Sequence, residues 1–345
     1  MATENKSSLR KIVTASAPFN NPAADLVVRT SDRTQFHVVK AVLAVASPVF
    51  ADMFSVAVNL PSETDSPSDY NEGTPILNVT ESSGTMDTLL RLCYPVDNPE
   101  ASSDDIDAII DILAAGKKYE IEVAQTWCMS ALKNFVSASH PDHSKFRIFV
   151  VAYQWGFEDL MLFVAKCLLT NSMADILSMS IPELTKVDAR MFQRLWAYRQ
   201  KCEIAVIRQA AIDLWLGKWK RPWAPLWIKG ISVCRCKQVK VPVFVSENNR
   251  IDLFPKVWLC EFLDDVKTAV RARFCLLGQE LSTNVEYALR RALPKVAKCS
   301  ECSSGGRREL RIFAEGLTLA MQQSIDLIDS SKFKFKRKLA QASTL

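Results

Sequence analysis

The sequence predicts an α+β fold in which a small sheet flanked by helices comes first and a mainly helical region follows. Three observations carry this. Residues 25–38 read as two short strands around a polar turn, residues from 40 onward switch to helical spacing, and residues 144–215 keep that spacing throughout.

In the first segment Leu26 and Val28 alternate with Val27 and Arg29, then Phe36 and Val38 alternate with Gln35 and His37, with Ser31-Asp32 as the turn. Two strands of this length do not fold alone. Val39, Val42, Leu43 and Ala46 recur at helical spacing and supply an apolar stripe to cover them. Ser47-Pro48 pairs an N-cap serine with proline at the first helical position. A second helix therefore starts there and is expected to bury Val49, Phe50, Met53 and Phe54.

Residues 61–74 crowd Ser, Asp, Glu, Pro and Gly together and are expected to form a mobile loop before the strand-like residues 76–79. Thr85 is placed to cap a helix carrying Met86, Leu89, Leu90 and Cys93, which Tyr94-Pro95 stops. Ser102 and Asp105 have capping-box spacing ahead of Ile106, Ile109, Ile110 and Leu113. A further helix carries Ala124, Trp127, Cys128, Ala131, Leu132 and Phe135. Cys93 and Cys128 read as core packing.

Composition narrows the function classes. With 345 residues, 48% of them hydrophobic, the chain can build two or three compact units. The 43 basic and 38 acidic residues nearly cancel to +5, so charge alone does not call for nucleic acid. The first twenty residues lack a secretory apolar core and no run is long enough to span a bilayer. Ten cysteines spread through a chain of this length fit reduced thiols, and the expected location is cytoplasmic or nuclear. The sequons at Asn5 and Asn78 are accordingly read as chance.

These elements, together with Leu92-Cys93-Tyr94-Pro95, Pro99 and the helix end Ala114-Ala115-Gly116-Lys117-Lys118-Tyr119, form an ordered set. Over residues 21–138 that set resembles a BTB/POZ domain, in the version found in many fungal proteins. The resemblance implies a non-enzymatic protein-interaction module that self-associates or docks a scaffold. Substrate adaptors for cullin-based ubiquitin ligases and transcriptional co-regulators are both of this kind. One departure stands out: relatives commonly carry histidine before the basic residue at the strand-to-helix junction, where this chain has Val39 before Lys40. The helical pattern of residues 139–215 (Phe146, Phe149, Val150, Tyr153; Leu160, Phe163, Val164, Cys167; Met191, Phe192, Leu195, Trp196; Ile204, Ile207, Ala211) resembles the extension that follows such domains. The expected organisation is a disordered tail over residues 1–20, the BTB/POZ domain over 21–138, the helical extension over 139–215, a cysteine- and tryptophan-containing domain over 216–330, and a basic tail over 331–345.

The texture changes at Trp215, Trp219, Trp223 and Trp227, followed by Cys234-Arg235-Cys236 and, far downstream, Cys299-Ser300-Glu301-Cys302 before Ser303-Ser304-Gly305-Gly306. Two close thiols on a turn make half of a tetrahedral zinc site, and two halves make a four-thiolate site possible. Two readings stand: Cys234, Cys236, Cys299 and Cys302 hold one structural Zn²⁺, or they are ordinary thiols. The Cys-x-Cys half is the less common spacing, and the separation exceeds that of a zinc ribbon. Cys260 and Cys275 are the alternative ligands, although Cys260 lies in the apolar run Val257-Trp258-Leu259 and reads as core.

No catalytic residue is assigned. The chain has three histidines and ten glycines, no phosphate-binding glycine loop and no nucleophile elbow, and His140-Pro141-Asp142-His143 reads as a solvated turn. The leading function is therefore a BTB-type adaptor or scaffold with protein partners and no membrane. The alternative is a zinc-stabilised nuclear or transcriptional regulator whose C-terminal part contacts nucleic acid. The basic run Lys332-Phe333-Lys334-Phe335-Lys336-Arg337-Lys338 would serve such contact or nuclear import, against the plainer reading of a frayed, solvated end.

Overall fold

The computed structural model describes residues 12–58, 70–71, 73–100, 105–138, 141–217, 234, 236–246, 249–273 and 278–328. The chain divides into two compact units, Met1–His140 and Pro141–Leu345.

The first unit is built on a five-stranded mixed sheet in the order β1-β3-β2-β5-β4, from β1 (Val13–Thr14), β2 (Leu26–Arg29), β3 (Thr34–Val38), β4 (Tyr70–Asn71) and β5 (Thr74–Asn78). β2 is central, antiparallel to β3 through Leu26↔Val38 and Val28↔Phe36 and parallel to β5 through Val27↔Ile76. That position explains why Val27 is as fully buried as Val28, where alternation alone would have left it facing water.

Residues 12–20, expected to lie in a disordered tail, are part of the fold. β1 runs parallel to β3 along the sheet edge, the Phe19 carbonyl accepts the His37 N–H at 2.9 Å, and the Phe19 ring is fully buried. Its ring meets Phe36 at 5.8 Å and Tyr94 edge-on at 5.2 Å. Burial of the Phe19 ring and the backbone bonds from Val13 N–H to the Arg33 carbonyl (3.2 Å) and from Ala15 N–H to the Gln35 carbonyl (2.8 Å) together anchor this otherwise polar segment.

Helix α1 (Lys40–Ala46) has no cap of its own. The Tyr94 hydroxyl accepts the Val39 N–H at 2.8 Å and Asp25 accepts the Lys40 N–H at 2.7 Å. Of the expected α1 stripe only Leu43 is fully buried, and Val39 is exposed. Helix α2 (Pro48–Val58) starts as expected: Ser47 accepts the Phe50 N–H at 3.1 Å and donates to the Tyr119 carbonyl. Phe50 is buried and stacks on Tyr119 at 4.7 Å, while Val49 and Phe54 are half-buried and Met53 lies on the exposed rim of the stripe.

Helices α3 (Ser83–Cys93), α4 (Ile106–Lys118) and α5 (Glu122–Ser137) complete the unit. The cap of α3 is Ser82, not Thr85; the Ser82 side chain accepts the Thr85 N–H, and Thr85 is spent inside the first turn. Asp105 caps α4 through the Ala108 N–H at 3.0 Å, and Ser102 lies outside the described residues. Met86, Leu89, Leu90, Ile109, Leu113, Ala124, Cys128, Leu132 and Phe135 are buried. Two carboxylates stitch loops to helices. Asp32 accepts the Ser83 N–H at the start of α3, and Glu81 accepts from Lys118 at 2.8 Å and Tyr119 at 2.7 Å. Burial by itself would raise the Glu81 pKa, but these donors outweigh it and hold the carboxyl below its ordinary value.

The second unit is mainly helical. Helix α6 (Asp142–Trp155) begins inside the expected His140–His143 turn, so His143 sits in its first turn with Nε2 3.1 Å from the Ser180 carbonyl. The helix ends at Gly156, whose φ of 78° a side chain would strain. Then follow α7 (Glu158–Cys167), α8 (Met173–Ser178), α9 (Arg190–Gln209) and α10 (Ile212–Gly217). On α9 the buried face is Met191, Leu195, Tyr198, Cys202 and Val206. The expected Ile204 is 69% exposed, because it falls out of phase with that three-four spacing. The antiparallel hairpin of β6 (Val241–Ser246) and β7 (Asn249–Leu253) leads into α11 (Val257–Arg273), which packs on α12 (Gly278–Ala297), and α12 packs on α13 (Ser300–Asp326). Helix α9 also packs on α13. Gly306 permits the α12–α13 approach, since a Cβ there would lie 3.3 Å from Val296 Cγ1.

Two outcomes follow from this arrangement. Phe19→Ala should destabilise the first unit by about 3–5 kcal/mol in denaturant titration, whereas a true tail position would change little. Glu81→Gln should be less stable than wild type at neutral pH. A carboxyl with a lowered folded pKa stabilises above its ordinary value of 4.5 and loses that stabilisation as pH falls through the folded pKa, so the two proteins should converge in acid.

Candidate metal centre

The four cysteines singled out by spacing converge. Backbone pairing places the first two: the Val239 N–H bonds to the Pro255 carbonyl and the Val257 N–H to the Lys237 carbonyl, each at 3.0 Å, with Gln238 bridged to Lys256 between them. Residues 237–239 therefore run antiparallel to the entry of α11, and the β6–β7 hairpin closes the far end of the excursion. This leaves Cys234 and Cys236 immediately ahead of the paired segment. The second pair belongs to a helix start. Cys299 is the N-cap residue of α13 and Cys302 lies in its first turn. The expected turn with Ser303-Ser304-Gly305-Gly306 behind it is instead the opening of that helix.

All four Sγ atoms lie within 4.8 Å of one another. Cys302 Sγ is 3.4 Å from Cys234 Sγ and 3.7 Å from Cys236 Sγ. A zinc ion with bonds of about 2.3 Å to four sulfurs sets them about 3.8 Å apart, so these separations match the edges of a metal tetrahedron and not the roughly 2 Å of a disulfide. Cys302 is buried and the other three are half-buried. The donor set is all thiol and fills four positions, which is the composition of a closed structural site. Helix α13 directs its N-terminal partial positive charge toward the cluster, and this favours thiolate once a metal is held. Without metal, burial and then the neighbouring thiols push the Cys236 pKa up to about 11, and the same causes raise that of Cys302. Binding must therefore displace protons, and affinity falls with pH.

Among the described residues the first unit presents no comparable cluster. Residues 18–135 match the family model described as BTB/POZ domain. The first unit is a BTB/POZ domain. A search of curated proteins gave no match. The BTB/POZ domain is a protein-interaction module, and its match ends ahead of the second unit. At the strand-to-helix junction Val39 uses its backbone N–H toward Tyr94, so the contact made there does not depend on the side chain.

Cys260 lies in α11, is half-buried, and is not part of the cluster. Trp215 is buried against Phe313, with ring centroids 5.1 Å apart. Cys275, Trp219, Trp223, Trp227, Arg235, His140, most of the loop over residues 61–74 and the basic run 332–338 lie outside the described residues. Among the described residues no helix is long and apolar enough to cross a membrane. Sequence reasoning passed over Lys256, which is fully buried beside the cluster. A lone lysine within the apolar run of residues 253–259 was the available signal.

If the cluster holds zinc, chelator should lower the melting temperature of the second unit in the wild-type chain. Cys299→Ser should lower it without chelator, and Cys260→Ser should leave the chelator response intact. Differential scanning calorimetry of the full chain reads all three.

Proposed function

We propose that this protein is an adaptor or scaffold: its BTB/POZ domain binds protein partners or a second copy of the chain, and a zinc-stabilised helical unit holds a client. The family match over residues 18–135 carries the first half of the reading. The convergence of Cys234, Cys236, Cys299 and Cys302 supports the second, because a site closed by four thiols has no position left for substrate and contributes its binding energy to the fold. Delivery of clients to a cullin-based ubiquitin ligase or to a regulatory complex is the proposed use, in the cytoplasm or nucleus, where thiols stay reduced. No chemistry is assigned to the chain itself.

Affinity purification of the tagged full chain, compared with Leu89→Asp and Cys299→Ser, tests the division of labour. Leu89 is completely buried in α3, and an unpaired charge there should unfold the BTB/POZ domain. The expected result is two partner sets, one lost with Leu89→Asp and another with Cys299→Ser. Identical partners from all three proteins would contradict the reading. A set removed by nuclease and by moderate salt would point to nucleic acid in its place.

A further inference from the structure

We propose that Lys256 is the buried counter-charge of the four-cysteine site, an assignment that rests on the zinc reading above. The relative exposure of Lys256 is 0%, yet among the described residues no carboxylate pairs with it. Its side-chain partner among the described residues is the Cys234 carbonyl, 3.4 Å from Nζ, which is long for a bond from an ammonium. Lysine is almost never fully buried without a partner, because an unpaired buried charge costs several kcal/mol.

The side chain is not there by default of the backbone. Lys256 precedes α11, its carbonyl accepts the Leu259 and Cys260 N–H groups, and it is bridged to Gln238. Those contacts would be met by any residue at this position. What lysine adds is an ammonium beside a ligand residue of the cluster.

The cluster has the complementary deficit. Binding one Zn²⁺ to four thiols releases four protons and leaves a centre of net charge −2, because four thiolates outweigh the ion. Half-buried and buried sulfurs hold that charge away from water, where it is costly without a nearby cation. The two unsatisfied groups answer each other. With metal bound, Lys256 reduces the local charge to −1 and has an anion to face. With thiols protonated, it faces a neutral cluster and remains uncompensated. Lys256 is thus a positioning and charge-balancing residue that couples metal occupancy to stability, with a sign that depends on the metal.

The test uses the full chain, stripped of metal under reducing conditions and titrated with zinc against a chromophoric chelator. Lys256→Gln keeps a donor for the Cys234 carbonyl without charge, Lys256→Met removes both, and Lys256→Arg keeps the charge. The Gln and Met variants should bind zinc about 10- to 100-fold more weakly, the range for loss of an outer-shell partner, and Arg should stay close to wild type. In the metal-free chain the Gln and Met variants should melt at the wild-type temperature or above it, since each deletes an uncompensated charge. Equal zinc affinity in wild type and Lys256→Gln would overturn the assignment while leaving the zinc reading intact. Equal destabilisation with and without metal, or collapse of all three variants, would make the lysine a packing residue and overturn it as well. A wild-type chain that takes up no zinc would remove the zinc reading itself and the Lys256 assignment with it.

Discussion

The antiparallel pairing of residues 237–239 with the entry of α11 is the constraint on which the cysteine corner depends. Without it, Cys234 and Cys236 would belong to a segment with no fixed relation to α13. With it, two backbone hydrogen bonds bring a Cys-x-Cys pair to the first turn of a helix that starts far downstream. Bringing distant segments together costs chain entropy that grows only slowly with loop length, so the long separation is not itself an obstacle.

The two units hold together by different means. The BTB/POZ domain buries a contiguous core of Phe19, Leu26, Val28, Phe36, Leu43, Phe50, Met86, Leu89 and Leu90, and its clasping carboxylates refine a fold already driven by apolar burial. In the second unit α11, α12 and α13 pack on one another through residues such as Phe262, Val266, Leu281, Leu289, Phe313 and Leu317. The corner at the start of α13 is different, with thiols, a buried lysine and a short strand pairing where apolar side chains would otherwise sit. A cluster of that composition is stable when its charges are mutually satisfied, so occupancy and fold are coupled there more tightly than in the rest of the protein.

Much of the first unit was legible in the chain. The β2 and β3 patterns, the Ser47-Pro48 helix start and the apolar faces of α3 to α5 all appear where periodicity placed them. The errors have local causes. Phe19 falls in an expected tail because a single aromatic carries no period, and the sheet edge reveals its use. Ser82 rather than Thr85 caps α3, since neighbouring hydroxyl residues compete for one role. The β6–β7 hairpin is masked in the sequence by Pro242, since proline within a short run argues against a strand although the residues around it alternate. Ile204 lies off the buried stripe, which passes through Tyr198, Cys202 and Val206. Cysteine spacing identified the four thiols of the cluster, but not that Cys299 begins a helix, because Ser-Ser-Gly-Gly is a composition of turns. The apolar run around Lys256 marks that lysine as unusual, but its burial is decided by tertiary neighbours, and spacing does not encode them.

The central claim is that four sulfurs from two distant pairs hold one zinc. Zinc-edge X-ray absorption of the full chain, purified under reducing conditions without added metal, tests it most directly. The account predicts a single shell of four sulfur scatterers at about 2.3 Å and no nitrogen or oxygen in the first shell. A protein without a zinc edge, or a first shell dominated by nitrogen and oxygen at about 2.0–2.1 Å, would contradict it.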